Sequence, residues 1–459
     1  MALFGLLSGK NTEADMTTGS TVRHLVSFAV PLLVGNIFQQ LYNTVDTWVV
    51  GNYASNQAFS AVGSVTPIIN LLIGFFMGLS SGAGVVISQY YGAKRNEKVS
   101  QAVHTSVAVT LLMGVVFTFL GIAMIPFMLK LNKTPDSVLP QSTTYLTIYF
   151  AGVIGLMVYK MGAGILRAVG DSTRPFYFLV VSAVINIVLD LVFVIVFEMG
   201  VAGVAYATII AQGVSAVLVV ITLMRTSGVV NLELKKLRIH TDVMKKILAV
   251  GLPAGLQMAI TAFSNVFVQS YVNAFGENYM SGWTAYHKID QFLFLPMQSL
   301  SLASTTFVGQ NLGVNKVERA RKGADTALGI AAVFTAVMIV PIVIYAPWFV
   351  RFFNSRQEVV EIGALLLRYI TPFYILCSVN QIYSGALRGA GNSRVPMVTM
   401  LLSFVVFRQV YLFAVSRITD SFVAIAMGYP AGWLLNSLLV FICYKKADFS
   451  KTRLIEDGK

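Results

Sequence analysis

Two twelve-residue stretches, GILRAVGDSTRP at 164–175 and GALRGAGNSRVP at 385–396, carry one pattern 221 residues apart. The same offset lays QYYGAKRNE, from Gln89, on QNLGVNKVE, from Gln310, and an offset of 222 lays Pro31 of VPLLVG on Pro253 of LPAGLQ. A chain written twice at this length is committed to two related bodies. Both halves are strongly apolar, and duplicated apolar halves are the sequence mark of secondary transporters.

With 56% apolar and 12% charged residues, 459 residues expose more apolar surface than one aqueous core can bury. The chain therefore reads as an all-α integral membrane protein. Apolar stretches of about 20 residues or more, long enough to span a bilayer, fall near 24–50, 59–88, 101–129, 138–166, 175–197, 201–224, 246–273, 281–308, 324–347, 358–386, 395–416 and 419–443. Twelve helices in two pseudo-symmetric six-helix bundles follow. The expected organisation is a tail at 1–23, a bundle at 24–224, a linker at 225–245, a second bundle at 246–443 and a tail at 444–459.

The excess of 33 basic over 20 acidic residues is explained by where the basic residues sit, with no need for a nucleic-acid partner. Counting from an internal N-terminus, 24 Lys and Arg fall in inner loops and tails and five in outer loops (Lys130, Lys133, Arg351, Arg356, Arg417). Four more, Lys160, Lys288, Arg368 and Arg408, lie inside predicted helices. This asymmetry places both termini in the cytoplasm, and the plasma (inner) membrane is the expected location. The residues before Arg23 lack the charged and apolar regions of a signal peptide, so the first helix is expected to serve as the insertion signal.

No soluble-enzyme constellation is present. His24, His104, His240 and His287 are scattered, no phosphate-binding GxxxxGK[ST] loop occurs, and Cys377 and Cys443 both lie in apolar helices without disulfide or metal spacing. No cofactor is expected. Energy is expected from an ion gradient, with small molecules and membrane lipids as partners and a monomer as the working state.

Carboxylates inside the predicted helices are few, and each costs at least about 2.5 to 3.5 kcal/mol in a bilayer, which makes them functional candidates. Asp46 lies in the first helix, Asp190 in the fifth with Asn186 one i,i+4 step earlier, and Thr208 in the sixth. At 1.5 Å per residue, Asp46 lies roughly 8 Å from the outer end, Asp190 and Thr208 roughly 10 Å, and Asn186 roughly 16 Å. One cavity in the outer half of the first bundle can hold all four. Two carboxylates brought together cannot both be ionised cheaply, so either they share a proton or a hard cation such as sodium bridges them. The bland alternative, in which Asp46 marks a helix end and Asn186 pairs locally, leaves the matched depths unexplained.

The run VPLLVGN with LYNTVDTWVVGNY, the LRAVGDSTRP and LRGAGNSRVP twins, and INIVLDLVF followed by GVAGVAYAT resemble the multidrug and toxic compound extrusion (MATE) family over about residues 20–445. The resemblance implies a V-shaped pair of six-helix bundles that exports organic cations or amphiphiles in exchange for protons or sodium. It also implies that Asp46, Asn186, Asp190 and Thr208 form the coupling-ion site, that Tyr42 lines the cavity, and that Pro31 bends the first helix. Gln39 and Asn43, beside Tyr42 in QQLYNTVD, join it as candidates for the substrate cavity.

The second half departs from this pattern. Its first helix reads LPAGLQMAITAFSN, without a carboxylate, and its fourth has Cys377 and Asn380 where other branches of the family place acids. Under the 221 offset Asp46 falls on Phe267, Asn186 on Phe407 and Asp190 on Tyr411. Lys288, Asp290 and Arg408 supply charge there instead, either as a structural ion pair of Asp290 with Arg408 or Lys288 or as a second polar wall for substrate. Pro31 removes the hydrogen bond to the Ser27 carbonyl and is expected to act as the gating bend. Arg167, Asp171 and Arg174, with Arg388, Asn392 and Arg394, are expected in inner loops as capping and closing residues. The leading function is polyspecific export, and the alternative is a flippase for lipid-linked envelope precursors, which would want basic residues such as Lys288 and Arg408.

Overall fold

The computed structural model describes residues 13–132 and 134–455, so that Lys133, the residues before Glu13 and those after Ile455 lie outside it. Among the described residues the chain is helical throughout and holds twelve helices long and apolar enough to cross a membrane. They are α1 (Thr21–Tyr53), α2 (Asn56–Gly92), α3 (Asn96–Leu131), α4 (Leu139–Ala168), α5 (Thr173–Val196) and α6 (Gly200–Arg225). The second half holds α7 (Thr241–Asn273), α8 (Glu277–Gly313), α9 (Val317–Ile344), α10 (Gln357–Gly389), α11 (Arg394–Ile418) and α12 (Phe422–Lys446). Most run several residues past the apolar spans, since a helix does not stop where its hydrocarbon segment does. The ninth expected span reached 347, but α9 stops at Ile344 and Pro347 opens a separate short helix, Ala346–Arg351.

Two compact units emerge. The first holds Val30–Gly251 with the described residues up to Asp15, and the second holds Met16–Ala29 with the described residues from Leu252. The divisions thus fall inside α1 and α7, in each case between the second and the first residue before the proline (Pro31, Pro253), and not at the linker. The repeated QYYGAKRNE and QNLGVNKVE motifs explain the assignment of the leading segments. In the second unit Gln310 Oε1 accepts from Met16 N–H at 3.0 Å, and Asn311, Lys316 and Arg319 donate to the carbonyls of Met16, Thr17 and Thr18. In the first unit Lys246 Nζ of α7 donates to Tyr90 OH at 3.1 Å.

The core of the first unit is built around α4. A Cβ on Gly121 of α3 would lie 2.2 Å from the Phe150 ring, one on Gly152 would lie 2.5 Å from Ile209 of α6, and one on Gly164 would lie 2.2 Å from Ser80 Oγ of α2. Small residues let these backbones approach where lipid supplies no hydrophobic drive between helices. Ser80 Oγ donates to the Lys160 carbonyl at 2.8 Å, and in the second unit Ser301 Oγ donates to the Gln381 carbonyl at 2.6 Å. Both partners are displaced by 221, so the duplication extends to single hydrogen bonds.

The twin turns agree as closely. Gly170 (φ 87°) and Gly391 (φ 90°) occupy the left-handed region that closes α4 and α10. Their N–H groups return to the Arg167 and Arg388 carbonyls at 2.9 and 2.7 Å. Asp171 Oδ1 then accepts from Arg174 N–H at 3.1 Å, and Asn392 Oδ1 accepts from Val395 N–H at 3.3 Å, starting α5 and α11. Asp171 also pairs with the Arg174 guanidinium at 3.4 Å. His104, one of the scattered histidines, is structural: its Nε2 accepts from Glu233 N–H of the linker at 3.1 Å.

Candidate functional site

The first unit brings Asp46 of α1 and Asp190 of α5 side by side, with their carboxyl groups within reach of one hydrogen bond. Asp190 is fully buried, Asn186 is 2% exposed and Thr208 of α6 is 9% exposed. Asp46 is half-buried. The α5 helix turns from α to π geometry at Val192, just past Asp190, a distortion that often accompanies a working residue.

Satisfaction of polar atoms singles this place out. Asp46 Oδ1, both Asp190 oxygens, both amide atoms of Asn186 and Thr208 Oγ1 are buried and have no hydrogen-bond partner among the described residues. Each such atom costs about 1 to 3 kcal/mol, more when charged, so a cluster of them is far from what packing alone selects. With both acids ionised no donor stands between them. A single proton or a cation between the carboxyls removes the conflict, with the Asn186 and Thr208 oxygens as further ligands for a cation. Among the described residues no group of three or more His, Cys, Asp or Glu side chains is placed to hold a metal ion.

Aromatic residues of α4 complete the wall. Tyr145 lies near Asp46, Asp190 and Thr208, and Tyr149, its ring 6.3 Å from that of Tyr145 and within 12° of parallel, lies against Gln212. Tyr42, one turn before Asp46, adjoins Gln39. Gln39 is half-buried and Asn43 exposed. The sequence reading passed over Tyr145, Tyr149 and Gln212. Their signal was present in the i,i+4 pairs Tyr145–Tyr149 on α4 and Thr208–Gln212 on α6, which put hydroxyls and an amide on single faces of otherwise apolar helices.

In the second unit the expected ion pair of Asp290 with Arg408 or Lys288 does not form. Asp290 Oδ2 faces His287 Nδ1 at 3.3 Å instead. Lys288 is exposed, because two positions along a helix turn a side chain about 200° away. Arg408, 1% exposed, gives Nη2 hydrogen bonds to Ser264 Oγ and to Asn265 Oδ1 (2.9 Å), and its guanidinium lies 5.2 Å from the Phe404 ring centre and 4.7 Å from that of Tyr429. Cys377 and Cys443 are free thiols, and Cys377 is packed in the apolar core.

An all-helical body of duplicated halves, with twelve helices long enough to span a membrane and a cluster of unpartnered polar groups buried inside one unit, has the architecture of a membrane transporter. The MatE family model matches residues 31–192 and again 253–413, starting on Pro31 and then on Pro253, and the chain belongs to the MatE family. It is 28% identical over 443 residues, covering 96% of this chain and 99% of the relative, to the probable multidrug resistance protein YpnP of Bacillus subtilis (strain 168). It is 29% identical over 447 residues to the probable multidrug resistance protein YoeA of the same organism, covering 95% of this chain and 96% of the relative. Its fold matches a solved structure described as the outward-facing conformation of a multidrug resistance MATE family transporter of the MOP superfamily, with a TM-score of 0.90 and 23% identity over 95% of this chain and 98% of that one.

Proposed function

We propose that this protein is a secondary active multidrug exporter of the plasma membrane, with both termini cytoplasmic, that exchanges cationic or amphiphilic compounds for protons or sodium at Asp46 and Asp190. The observation that carries the reading is the facing carboxyl pair inside one unit, three of whose oxygens are buried without a partner among the described residues. Asn186 and Thr208 add an amide and a hydroxyl to the same pocket, and Tyr42, Tyr145 and Tyr149 offer aromatic faces to an organic cation. An ion drives export only if it binds two conformations with different affinity, and a carboxyl pair answers steeply to exposure. Pro31, fifteen residues before Asp46 in α1, supplies the flexible point, because the Ser27 carbonyl loses its helical donor there. The names of the Bacillus relatives support the multidrug assignment.

The test is efflux of a fluorescent organic cation from vesicles on which proton and sodium gradients are imposed separately. One of the two gradients is expected to drive export, and Asp46→Asn is expected to abolish it. Export that ignores both gradients would sink the proposal.

A further inference from the structure

We propose that the second unit holds an oxyanion site at Arg408, which takes the carboxylate or phosphate of a transported amphiphile. This rests on the export reading and adds to it the class of substrate.

The argument begins from position. In the first unit the polar contact joins the first helix to the fifth, α1 to α5, through Asp46 and Asp190. In the second it joins the equivalent helices, α7 to α11, through Ser264, Asn265 and Arg408. Under the 221 offset Asp46 falls at 267 and Asp190 at 411, and Ser264 and Arg408 each stand three residues earlier. The second contact is therefore the first one moved by a single helical turn, with its charge reversed.

The local chemistry is that of a held guanidinium. Ser264 Oγ donates to the Phe404 carbonyl and receives Gln409 Nε2 at 3.1 Å, so this hydroxyl is saturated and fixed. Phe404 lies in the π-helical stretch Leu401–Phe407, which ends at the residue before Arg408. Gly432 of α12 packs against the Phe404 ring, where a Cβ would lie 3.2 Å from Phe404 Cδ1. Both hydrogen bonds of the guanidinium to described residues leave from Nη2, and the buried Nε–H has no acceptor. No carboxylate among the described residues pairs with it.

A guanidinium carries five donors, and burying it with neutral acceptors alone forgoes its strongest interaction, a charge-assisted bond to an oxyanion. Tyr429 stands between it and Asp290: the ring lies over Arg408 at 4.7 Å, and among its further neighbours is His287, at 6.0 Å, which is bonded to Asp290. Trp283, Tyr429 and Trp433 pack ring against ring beside the guanidinium and keep its surroundings apolar.

The test uses the full-length protein in lipid nanodiscs with a xanthylium dye bearing a free carboxylate and the methyl ester of that dye, both read by fluorescence anisotropy. Wild type is expected to bind the acid at least about tenfold more tightly than the ester. Arg408→Gln is expected to erase that preference while changing ester binding less than about twofold, and Arg408→Lys to retain part of it. Benzoate, and not benzamide, is expected to displace the acid dye from wild type, which keeps the idea falsifiable should the Gln variant fail to fold. Equal binding of acid and ester, or equal displacement by benzoate and benzamide, overturns the proposal. Nanodiscs of phosphatidylcholine with and without phosphatidylglycerol separate the sources: loss of the acid preference only with the anionic lipid assigns the oxyanion to a lipid headgroup, and persistence assigns it to the transported compound. Asp46→Asn separates this proposal from the exchange mechanism, because gradient-driven export is then expected to vanish while the preference for the acid persists.

Discussion

Asp46 of α1 and Asp190 of α5 present their carboxyl groups to each other inside one unit, and neither has a donor among the described residues that would let both stay charged. Each acid is useful only with its neighbour, so the two behave as one titrating group. Asp46→Asn and Asp190→Asn are each expected to lower the initial rate of gradient-driven efflux at least about tenfold, and the double variant to be little worse than either single one. Membrane levels should hold or rise, since a buried charge is removed. Efflux assays alongside quantitative blotting check this, and additive losses would refute the shared site.

Gly82 of α2 meets α7 backbone to backbone: a Cβ there would lie 2.5 Å from the Ile247 carbonyl oxygen and 2.6 Å from Gly251 Cα. No side chain can yield to relieve the clash, so Gly82→Ala is expected to destabilise the first unit by about 1 to 3 kcal/mol. Gly63→Ala, where a Cβ meets nothing within 4 Å, is the control. Thermal denaturation in detergent measures both.

Cys377 is packed in the apolar core of the second unit. Cys377→Ala is expected to export almost normally, at a stability loss of about 1 kcal/mol from the missing sulfur. An efflux defect as deep as that of Asp46→Asn would move the coupling site into the second unit.

Glu13 docks in the first unit with Tyr91 OH 3.5 Å from its Oε2, while the Ala14 N–H bonds to the Val169 carbonyl at 2.9 Å. Burial pushes the Glu13 carboxyl above its ordinary value. The docked form therefore takes up a proton more readily than the released one, and docking weakens as pH rises through and beyond the ordinary glutamate range of about 4.3. Glu13→Gln is expected to slow hydrogen exchange at the Ala14 amide at neutral pH and to make no difference once wild type is protonated. Faster exchange in the variant at neutral pH would contradict this.

Much of this was legible in the letters alone. Hydropathy placed all twelve helices, because lipid requires long apolar runs, and the twin motifs placed Asp171 and Asn392 as helix caps. Matched depth on three helices was enough to bring Asp46, Asp190 and Thr208 together as candidates. What escaped was partner choice. Spacing allowed Asp290 to reach a cation, yet the closest neighbour it found was His287 on its own helix, and Arg408 settled on Ser264 and Asn265 from a helix 144 and 143 residues away in sequence. Side-chain partners across helices depend on rotation about each axis, which periodicity fixes for apolar faces and leaves open for one isolated charge. The division of α1 and α7 between units was equally hidden, because each reads as one uninterrupted helix.

The Ser80–Lys160 and Ser301–Gln381 hydrogen bonds are copies, and so descend from a single ancestral contact. A half-length ancestor working as a pair of identical chains would have had the same residues in both of its first-to-fifth helix contacts, because a two-fold axis makes the two halves chemically equal. Facing acids in one half and a lone guanidinium in the other are forbidden to such a pair. Once the copies shared one reading frame, a mutation could enter one half without appearing in the other, and the two halves became free to differ in the charge they bury.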